Sequence, residues 1–181
     1  MPPELVLEPW TDADLDLELR ANTPEMTVHL GGPASLDAIH ARHARFLDLP
    51  VTGTGQMFRI ALPGAPGAGS VGYWEREWQG VTVYEMGWQV LPEHQGRGLA
   101  SAATRLAAVH AATHGRRRFA HAYPKAIHAA SNAVCRKVGF ELLGEVDFEY
   151  PKGTFIRSND WRLDLRILAD LEVIGAVGDN G

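Results

Sequence analysis

The chain has 181 residues, of which 45% are hydrophobic and 22% charged, with a formal net charge of -5, so its length supports a single domain over residues 1–181 and little more. The acidic balance argues against a nucleic-acid partner, which requires a basic surface. The only cysteine, Cys135, excludes an intrachain disulfide and a cysteine-based zinc site.

The N-terminal half of the sequence predicts two strands and two helices. In chain order these are a strand at residues 5–7, a helix from residue 11 or 12 to 20, a loop at 22–33, a helix capped by Ser35, a strand at 56–62 and a loop at 63–69. After Ser35, apolar side chains recur at helical spacing, which is typical of an amphipathic helix. Residues 63–69 are rich in proline and glycine, which favours a loop.

The C-terminal half predicts strands that alternate with helices. In chain order these are a strand pair at residues 70–78 and 81–90, a helix at 98–114, a strand at 118–122, a helix at 126–138, a closing strand pair at 140–149 and 154–165, and a frayed tail at 175–181. Elements in this order predict an α/β fold, in which helices cover both faces of a mixed sheet.

The most informative passage is a glycine-rich loop between a strand and a helix. The loop, Gln95-Gly96-Arg97-Gly98-Leu99-Ala100, opens the alanine-rich helix. The first turn of a helix carries unpaired N–H groups and a partial positive charge, so this loop predicts an anion site. Its glycines allow the anion to approach the backbone, and Ala100 and Ser101 are too small to block it. Arg97 offers charge-assisted contacts.

Other interpretations of this loop are weaker. A P-loop would end in Gly-Lys-Ser/Thr, which is absent here. A dinucleotide fingerprint would need a third glycine, or an alanine, after Gly96-x-Gly98, and Ser101 stands there instead, so that match is weak. A glycine turn or helix cap without any ligand also stays open.

Two motifs resemble those of a known family. Gln95-x-x-Gly98-x-Ala100, following Trp88-x-Val90-x-Pro92, resembles the acetyl-CoA loop of the GNAT superfamily of N-acetyltransferases. Residues 130–140, which end in Gly139-Phe140, resemble the helix and Gly-Phe signature of the same fold. Residues 22–26 and the order of the elements look like the branch related to ribosomal-protein N-terminal acetyltransferases. The resemblance covers residues 5–165.

The resemblance implies the fold of that superfamily and acetyl-CoA as the cofactor. The fold is α/β (mixed α+β), with a mostly antiparallel central sheet that splays at the cofactor site. The splayed strand would pair with pantetheine, its backbone would polarise the thioester carbonyl, and the helix amides would hold the pyrophosphate. The implied cofactor-binding residues are Gln89, Val90 and Leu91 on the strand, Gln95, Gly96, Arg97, Gly98, Leu99, Ala100 and Ser101 on the loop and helix, and His128 and Ser131 downstream.

The resemblance also implies direct attack of a primary amine on the thioester. The amine must be neutral to attack, so a base or a water relay is useful. Glu85, a carboxylate within a strand just before the expected splay, is the candidate base. A structural salt bridge or a position at the sheet edge is its equal alternative. Many family members protonate the leaving thiolate with a tyrosine where this chain has Cys135. Because Cys135 is more typical of a core residue, Ser131 or a water is the candidate acid.

The acceptor is expected to be a protein N-terminus or a small-molecule amine. Five side chains are candidates for its pocket, although each is more typical of packing: His29, Trp74, Trp78, Trp88 and Tyr123. His110 and His114 have the spacing of a metal pair but no matching carboxylate, so no metal site is predicted.

Two other functions stay open, a non-catalytic acyl-CoA-binding or sensor module and an interaction domain that borrows the fold. The N-terminal residues lack the pattern of a signal peptide. No stretch approaches the roughly 18 apolar residues of a membrane helix. We therefore expect a cytoplasmic protein with no membrane partner. Because members of the family that it resembles commonly form homodimers, the resemblance also implies a homodimer as a partner.

Overall fold

Seven strands form one sheet within residues 4–168, the part of the chain that the computed structural model describes. The strands are β1 (Val6–Pro9), β2 (Gly55–Leu62), β3 (Ala65–Trp78), β4 (Val81–Val90), β5 (Phe119–Ala122), β6 (Glu141–Glu149) and β7 (Phe155–Asp164). Their order across the sheet is β1-β2-β3-β4-β5-β7-β6. Only β4 and β5 run parallel, which confirms the mixed and mostly antiparallel sheet.

Within residues 4–168, four α-helices lie between the strands of the sheet in chain order. They are α1 (Leu15–Ala21), α2 (Leu36–Thr52), α3 (Leu99–His114) and α4 (Ala129–Val138). The predicted cap of α2 is confirmed, because the Ala38 N–H donates a hydrogen bond to Ser35 Oγ at 3.2 Å. The first predicted helix is divided into a 3-10 turn, Asp12–Asp14, and α1. In residues 4–168, no helix is both long and apolar enough to cross a membrane.

The two faces of the sheet carry separate hydrophobic cores. On the α3 face, α3 and α4 pack over buried residues that include Tyr84 and Met86. On the α1 face, α1 and α2 pack over Met57, with Trp74 at the edge of that core. Since successive side chains of a strand point to opposite faces, Glu85 lies on the α1 face. Helices therefore cover both faces, as predicted.

The predicted loop at residues 63–69 is wrong for most of its length. Only a tight turn separates β2 from β3, and β3 begins at Ala65. Gly69 pairs with Val90 in β4, and a Cβ built on Gly69 would lie 2.2 Å from the carbonyl oxygen of Gln89. The glycine is therefore required by a close approach of two strands, and not by a loop.

The helix predicted at residues 126–138 begins three residues later, at Ala129. The residues before it bond elsewhere: the Ala126 N–H donates to the Arg157 carbonyl at 3.1 Å, and the His128 N–H donates to the Lys125 carbonyl at 2.9 Å. The chain thus follows β7 before it turns into α4. The predicted tail at residues 175–181 lies outside the described residues.

Candidate active site

A cleft opens where β4 and β5 part. In this parallel pair, Tyr84 lies opposite Ala120 and Glu85 opposite His121. β4 continues to Val90 and stays paired with β3 along its length. Among the described residues, the edge of residues 86–90 that faces β5 therefore has no strand partner, which is the splay that the family resemblance implies. Residues 87–89 are only half-buried although β4 is a central strand.

The N-terminus of α3 follows the C-terminal end of β4 after a short loop. Gly96 and Gly98 have φ angles of 74° and 75°, in the left-handed region that favours glycine. A Cβ at either position would have no atom within 4 Å, so the space beside them is open. Gly98 is the N-cap and supplies no side chain, and the first turn of α3 holds no acidic residue. The first amides of this helix are thus free to bind an anion.

The loop before α3 is tied to the end of β4. Gln95 Nε2 donates to the Val90 carbonyl at 2.8 Å, so this side chain shapes the loop. The Leu91 N–H donates to the Ala68 carbonyl, and the Leu91 carbonyl accepts from the His94 N–H, both at 2.9 Å. Leu91 has therefore used both backbone groups inside the protein. Arg97 is exposed and bonds no other described side chain or backbone group.

Gln89 is held from the α1 face. Its Nε2 donates to Glu18 Oε1 at 3.1 Å. Glu18 is only 2% exposed and also forms an ion pair with Arg42 of α2. The side chain of Gln89 thus points toward α1, and only its backbone can serve the cleft.

The N-terminus of α4 is fixed by Asn132, a residue that the sequence did not single out. Asn132 is 4% exposed. Its Nδ2 donates to the carbonyls of Lys125 and His128 at 2.9 and 2.8 Å. Its Oδ1 accepts from Asn159 Nδ2 and Trp161 Nε1, both at 2.8 Å. One buried amide thereby joins the β5–α4 loop, α4 and β7.

His128 and Ser131 lie on that fixed helix start. His128 is the N-cap of α4, and Ser131 is half-buried in its first turn. The His128 ring stacks on His29 at 3.9 Å between centroids, which joins the α1–α2 loop to α4. Burial and the neighbouring His29 lower the pKa of His128. The structure therefore brings together a cofactor candidate and an acceptor candidate.

Glu85 forms the salt bridge that the sequence left open. Its Oε2 accepts from Arg76 Nη1 at 2.9 Å and from Trp74 Nε1 at 3.1 Å. Within residues 4–168, no group donates a hydrogen bond to the other oxygen, Oε1. The carboxylate is therefore held by two donors at the point where the cleft begins.

Cys135 is a core residue, as the sequence indicated. Its side chain is fully buried within the α3-face core. Burial raises the pKa of the Cys135 thiol to about 12. A proton held this tightly in an apolar core is not available to a leaving group in the cleft.

On the α1 face, an aromatic cluster lies beside the point where β4 and β5 part, and we call it the floor of the cleft. It consists of Trp78, Tyr123 and Phe148, whose ring centroids are 4.4–6.0 Å apart. The guanidinium of Arg76 lies over the Phe148 ring at 4.2 Å. The hydroxyl of Tyr123 is buried and has no hydrogen-bond partner in the part of the chain that the structure describes. Two acceptor candidates, Trp78 and Tyr123, are thus gathered beside Glu85, whereas Trp88 packs against the α3-face core.

A buried His–Asp pair completes this floor, and the sequence reasoning missed it. His121 Nδ1 lies 2.6 Å from Asp160 Oδ1, and the two side chains are 6% and 4% exposed. Trp78 Nε1 donates to the other oxygen, Asp160 Oδ2, at 2.9 Å. The available signal was a histidine inside the short apolar strand Phe119-Ala-His-Ala. In the described part of the chain, no three metal-binding side chains converge.

Comparisons with known proteins place this geometry in a family. A model described as an acetyltransferase (GNAT) domain matches residues 4–141. A search of curated proteins finds no significant match.

Solved structures share the fold at low sequence identity. RimL, a ribosomal L7/L12 α-N-protein acetyltransferase in complex with coenzyme A, is 18% identical, with 88% of this chain and 93% of that chain covered and a TM-score of 0.71. The aminoglycoside acetyltransferase AAC(6')-Ib with coenzyme A is 16% identical, with coverages of 93% and 98% and a TM-score of 0.74. The spermidine N-acetyltransferase of Vibrio cholerae with CoA and spermine is 14% identical, with coverages of 91% and 98% and a TM-score of 0.73.

Proposed function

The chain belongs to the GNAT acetyltransferase family, and we propose that this acetyl-CoA-dependent N-acetyltransferase acts on a primary amine, either a protein N-terminus or an amine of a small molecule. Proteins with similar folds include acetyltransferases of a ribosomal protein, of aminoglycosides and of spermidine. These acceptors share an amine, and this supports an amine as the acceptor of this chain.

The observation that carries the proposal is the open N-terminus of α3 beside the unpaired edge of β4. The helix start has no capping side chain and no acidic residue in its first turn, and open space lies beside Gly96 and Gly98. A diphosphate fits there, because it supplies the acceptors and the negative charge that the chain itself lacks. Acetyl-CoA bound in this way supplies an activated acetyl thioester.

Each site residue then has a proposed task. The amides of Gly96, Gly98, Leu99, Ala100 and Ser101 hold the pyrophosphate, Arg97 adds charge, and Gln95 holds the loop in shape. Gln89 and Val90 offer backbone along the cleft, while Leu91 contributes packing, because both its backbone groups are bonded within the protein. His128 and Ser131 approach the cofactor from α4.

At the acceptor end, Glu85 is the proposed partner of the amine. Its Oε1 is free to accept a hydrogen bond from an ammonium or amine, while Arg76 and Trp74 hold Oε2 in place. Ser131, or a water beside it, is the proposed source of the proton for the thiolate, since Cys135 is sealed in the core. A single domain over residues 1–181, a cytoplasmic location and homodimer formation stay predictions.

An acceptor screen that follows thiol release tests the proposal. The panel contains peptides with free N-termini, aminoglycosides, polyamines and single amino acids, each with acetyl-CoA. We expect saturable turnover with at least one member and sub-millimolar binding of acetyl-CoA by calorimetry. Absence of calorimetric binding would reject the cofactor site.

A second candidate function is a non-catalytic acyl-CoA sensor. The observation that favours it is the burial of Cys135 at the position where many family members have a tyrosine acid. A sensor would bind acetyl-CoA without turnover across the whole panel. Measurable turnover with any amine would exclude it.

A further inference from the structure

We propose that His121, oriented by Asp160, is the group that removes the proton from the acceptor amine. This inference rests on the proposed function and assigns the base within the same site. It gives Glu85 a different task, that of a fixed negative charge which holds the amine.

The pair has the geometry of an oriented imidazole. A carboxylate only accepts hydrogen bonds, so the contact between His121 Nδ1 and Asp160 Oδ1 at 2.6 Å places a proton on Nδ1. In the neutral ring, Nε2 then carries the free lone pair. No described residue bonds to Nε2, and Nε2 is not among the atoms sealed from solvent.

Asp160 is itself held in place. Its second oxygen accepts from Trp78 Nε1 at 2.9 Å, and the residue is 3% exposed. Both oxygens of this buried carboxylate are therefore satisfied, one by the indole and one by the imidazole. This arrangement fixes the orientation of the His121 ring.

The position of His121 is the second argument. His121 is the Cα partner of Glu85, and this is the last pair before β4 and β5 part. Partnered residues of neighbouring strands are about 4.8 Å apart and point to the same face. An amine held by Glu85 Oε1 at the floor of the cleft is therefore also beside the His121 ring.

Glu85 is less suited to accept the proton. Arg76 Nη1 and Trp74 Nε1 both donate to its Oε2, so Glu85 is already the anionic partner of an ion pair with Arg76. A carboxylate stabilised in this way attracts the ammonium and leaves proton removal to a neutral base.

The proton and electron balance is complete with groups already named. The ammonium gives one proton to His121 Nε2, and the freed nitrogen lone pair forms the bond to the acetyl carbonyl carbon. The carbon–sulfur bond breaks, and its electron pair stays on sulfur. The nitrogen then loses its second proton to the thiolate, through Ser131 or a water. The imidazolium returns its proton to solvent, so the products are an amide, a thiol and one proton.

Several charged or titratable groups face the same floor and must be separated from His121. They are Glu85 on β4, Arg76 on β3, Asp160 and Arg162 on β7, and Tyr123 after β5. Arg162 is occupied by Glu141. Burial, Asp160 and Glu85 raise the pKa of Tyr123, so its phenol stays neutral. Glu85 is therefore the group from which a pH profile must distinguish His121.

The first test compares three variants with the acceptor that the wild type turns over fastest. His121→Gln should lower kcat roughly 100- to 10,000-fold with unchanged acetyl-CoA affinity by calorimetry. It should also remove the acidic limb of the kcat/KM profile, because the imidazole must be neutral to accept a proton. Glu85→Gln should keep that limb and mainly raise KM for the amine. His110→Gln, which likewise loses one hydrogen bond, to Tyr73, is the matched control and should leave kcat unchanged.

The second test does not depend on turnover. In the wild-type protein without acetyl-CoA, nitrogen-15 NMR should show the neutral His121 ring protonated on Nδ1 and bare on Nε2. Asp160→Asn should shift this tautomer balance and lower kcat by at least about tenfold, even if His121→Gln fails to fold. A proton on Nε2 in the neutral ring of the wild-type protein would overturn the inference.

The failures of the two proposals are distinguishable. If the wild type binds acetyl-CoA but turns over no amine, the proposed function fails. If the wild type turns over an amine and His121→Gln turns it over equally with the acidic limb intact, only the role of His121 fails.

Discussion

The two ends of the cleft are built by different means. At the cofactor end, the proposed pyrophosphate site consists of consecutive residues, Gly96–Leu99 and the start of α3, and it works through backbone amides around glycines with open space beside them. The acceptor end consists of buried or half-buried side chains from β3, β4, β5 and β7. The first is a property of one loop, and the second exists only when the strands are assembled. The two ends should therefore respond to different substitutions.

Gly98→Glu should have the largest effect on acetyl-CoA binding, and it should act only on the cofactor end. The new carboxylate would fill the space proposed for the pyrophosphate and repel it, so acetyl-CoA affinity should fall at least about 100-fold in calorimetry. Gly64→Glu is the matched control, because Gly64 has the same φ of 75° and the same open surroundings in a turn between β2 and β3. Equal loss in both variants would mean that backbone strain, and not an anion site, is responsible.

Asn132→Ala should destabilise the protein where the β5–α4 loop, α4 and β7 are joined. The substitution removes four hydrogen bonds and leaves the buried Trp161 Nε1 without a partner. We expect a loss of about 2–4 kcal/mol in the free energy of unfolding, measured with urea. Asn22→Ala removes two bonds to Ala34 in the α1–α2 loop and should cost less. A smaller loss for Asn132→Ala than for Asn22→Ala would contradict the central role of Asn132.

Glu85→Gln should affect the acceptor end alone. It keeps the shape of the side chain but removes the charge that pairs with Arg76. We expect kcat/KM for the amine to fall about 10- to 100-fold, with acetyl-CoA affinity unchanged. Glu75→Gln is matched, since Glu75 lies on β3, pairs with Arg117 and has a similarly covered side chain. Weaker acetyl-CoA binding in Glu85→Gln would show that the two ends are not separable.

Cys135 should give the smallest effect on function. Because burial raises the pKa of its thiol to about 12, the thiolate is scarce below that pH in the folded protein. Iodoacetamide at pH 8 should label the native protein at least about 100-fold more slowly than the urea-unfolded protein. Cys135→Ala should retain kcat within about threefold. Rapid labelling that abolishes turnover would instead place the thiol in the cleft.

The sequence was sufficient for what is local. The cap at Ser35, the hairpin between β3 and β4 and the helix that starts after Gly98 follow from propensities and turn chemistry within a few residues. The anion site belongs to the same class, because backbone amides at a helix start need no distant partner. Residues 65–69 were misread for the converse reason: Gly69 serves the close approach of β4, which no local pattern reveals.

Only the tertiary structure shows which residues meet at the floor of the cleft. His121 and Asp160 are 39 residues apart in sequence, and nothing in either segment indicates that they touch. The same holds for Asn132, whose four partners lie on two segments, the β5–α4 loop and β7. It also holds for Glu85, whose salt bridge depends on the register of β3 against β4. A short sequence window encodes the conformation of its own backbone, whereas contacts between side chains on different strands depend on strand order and register.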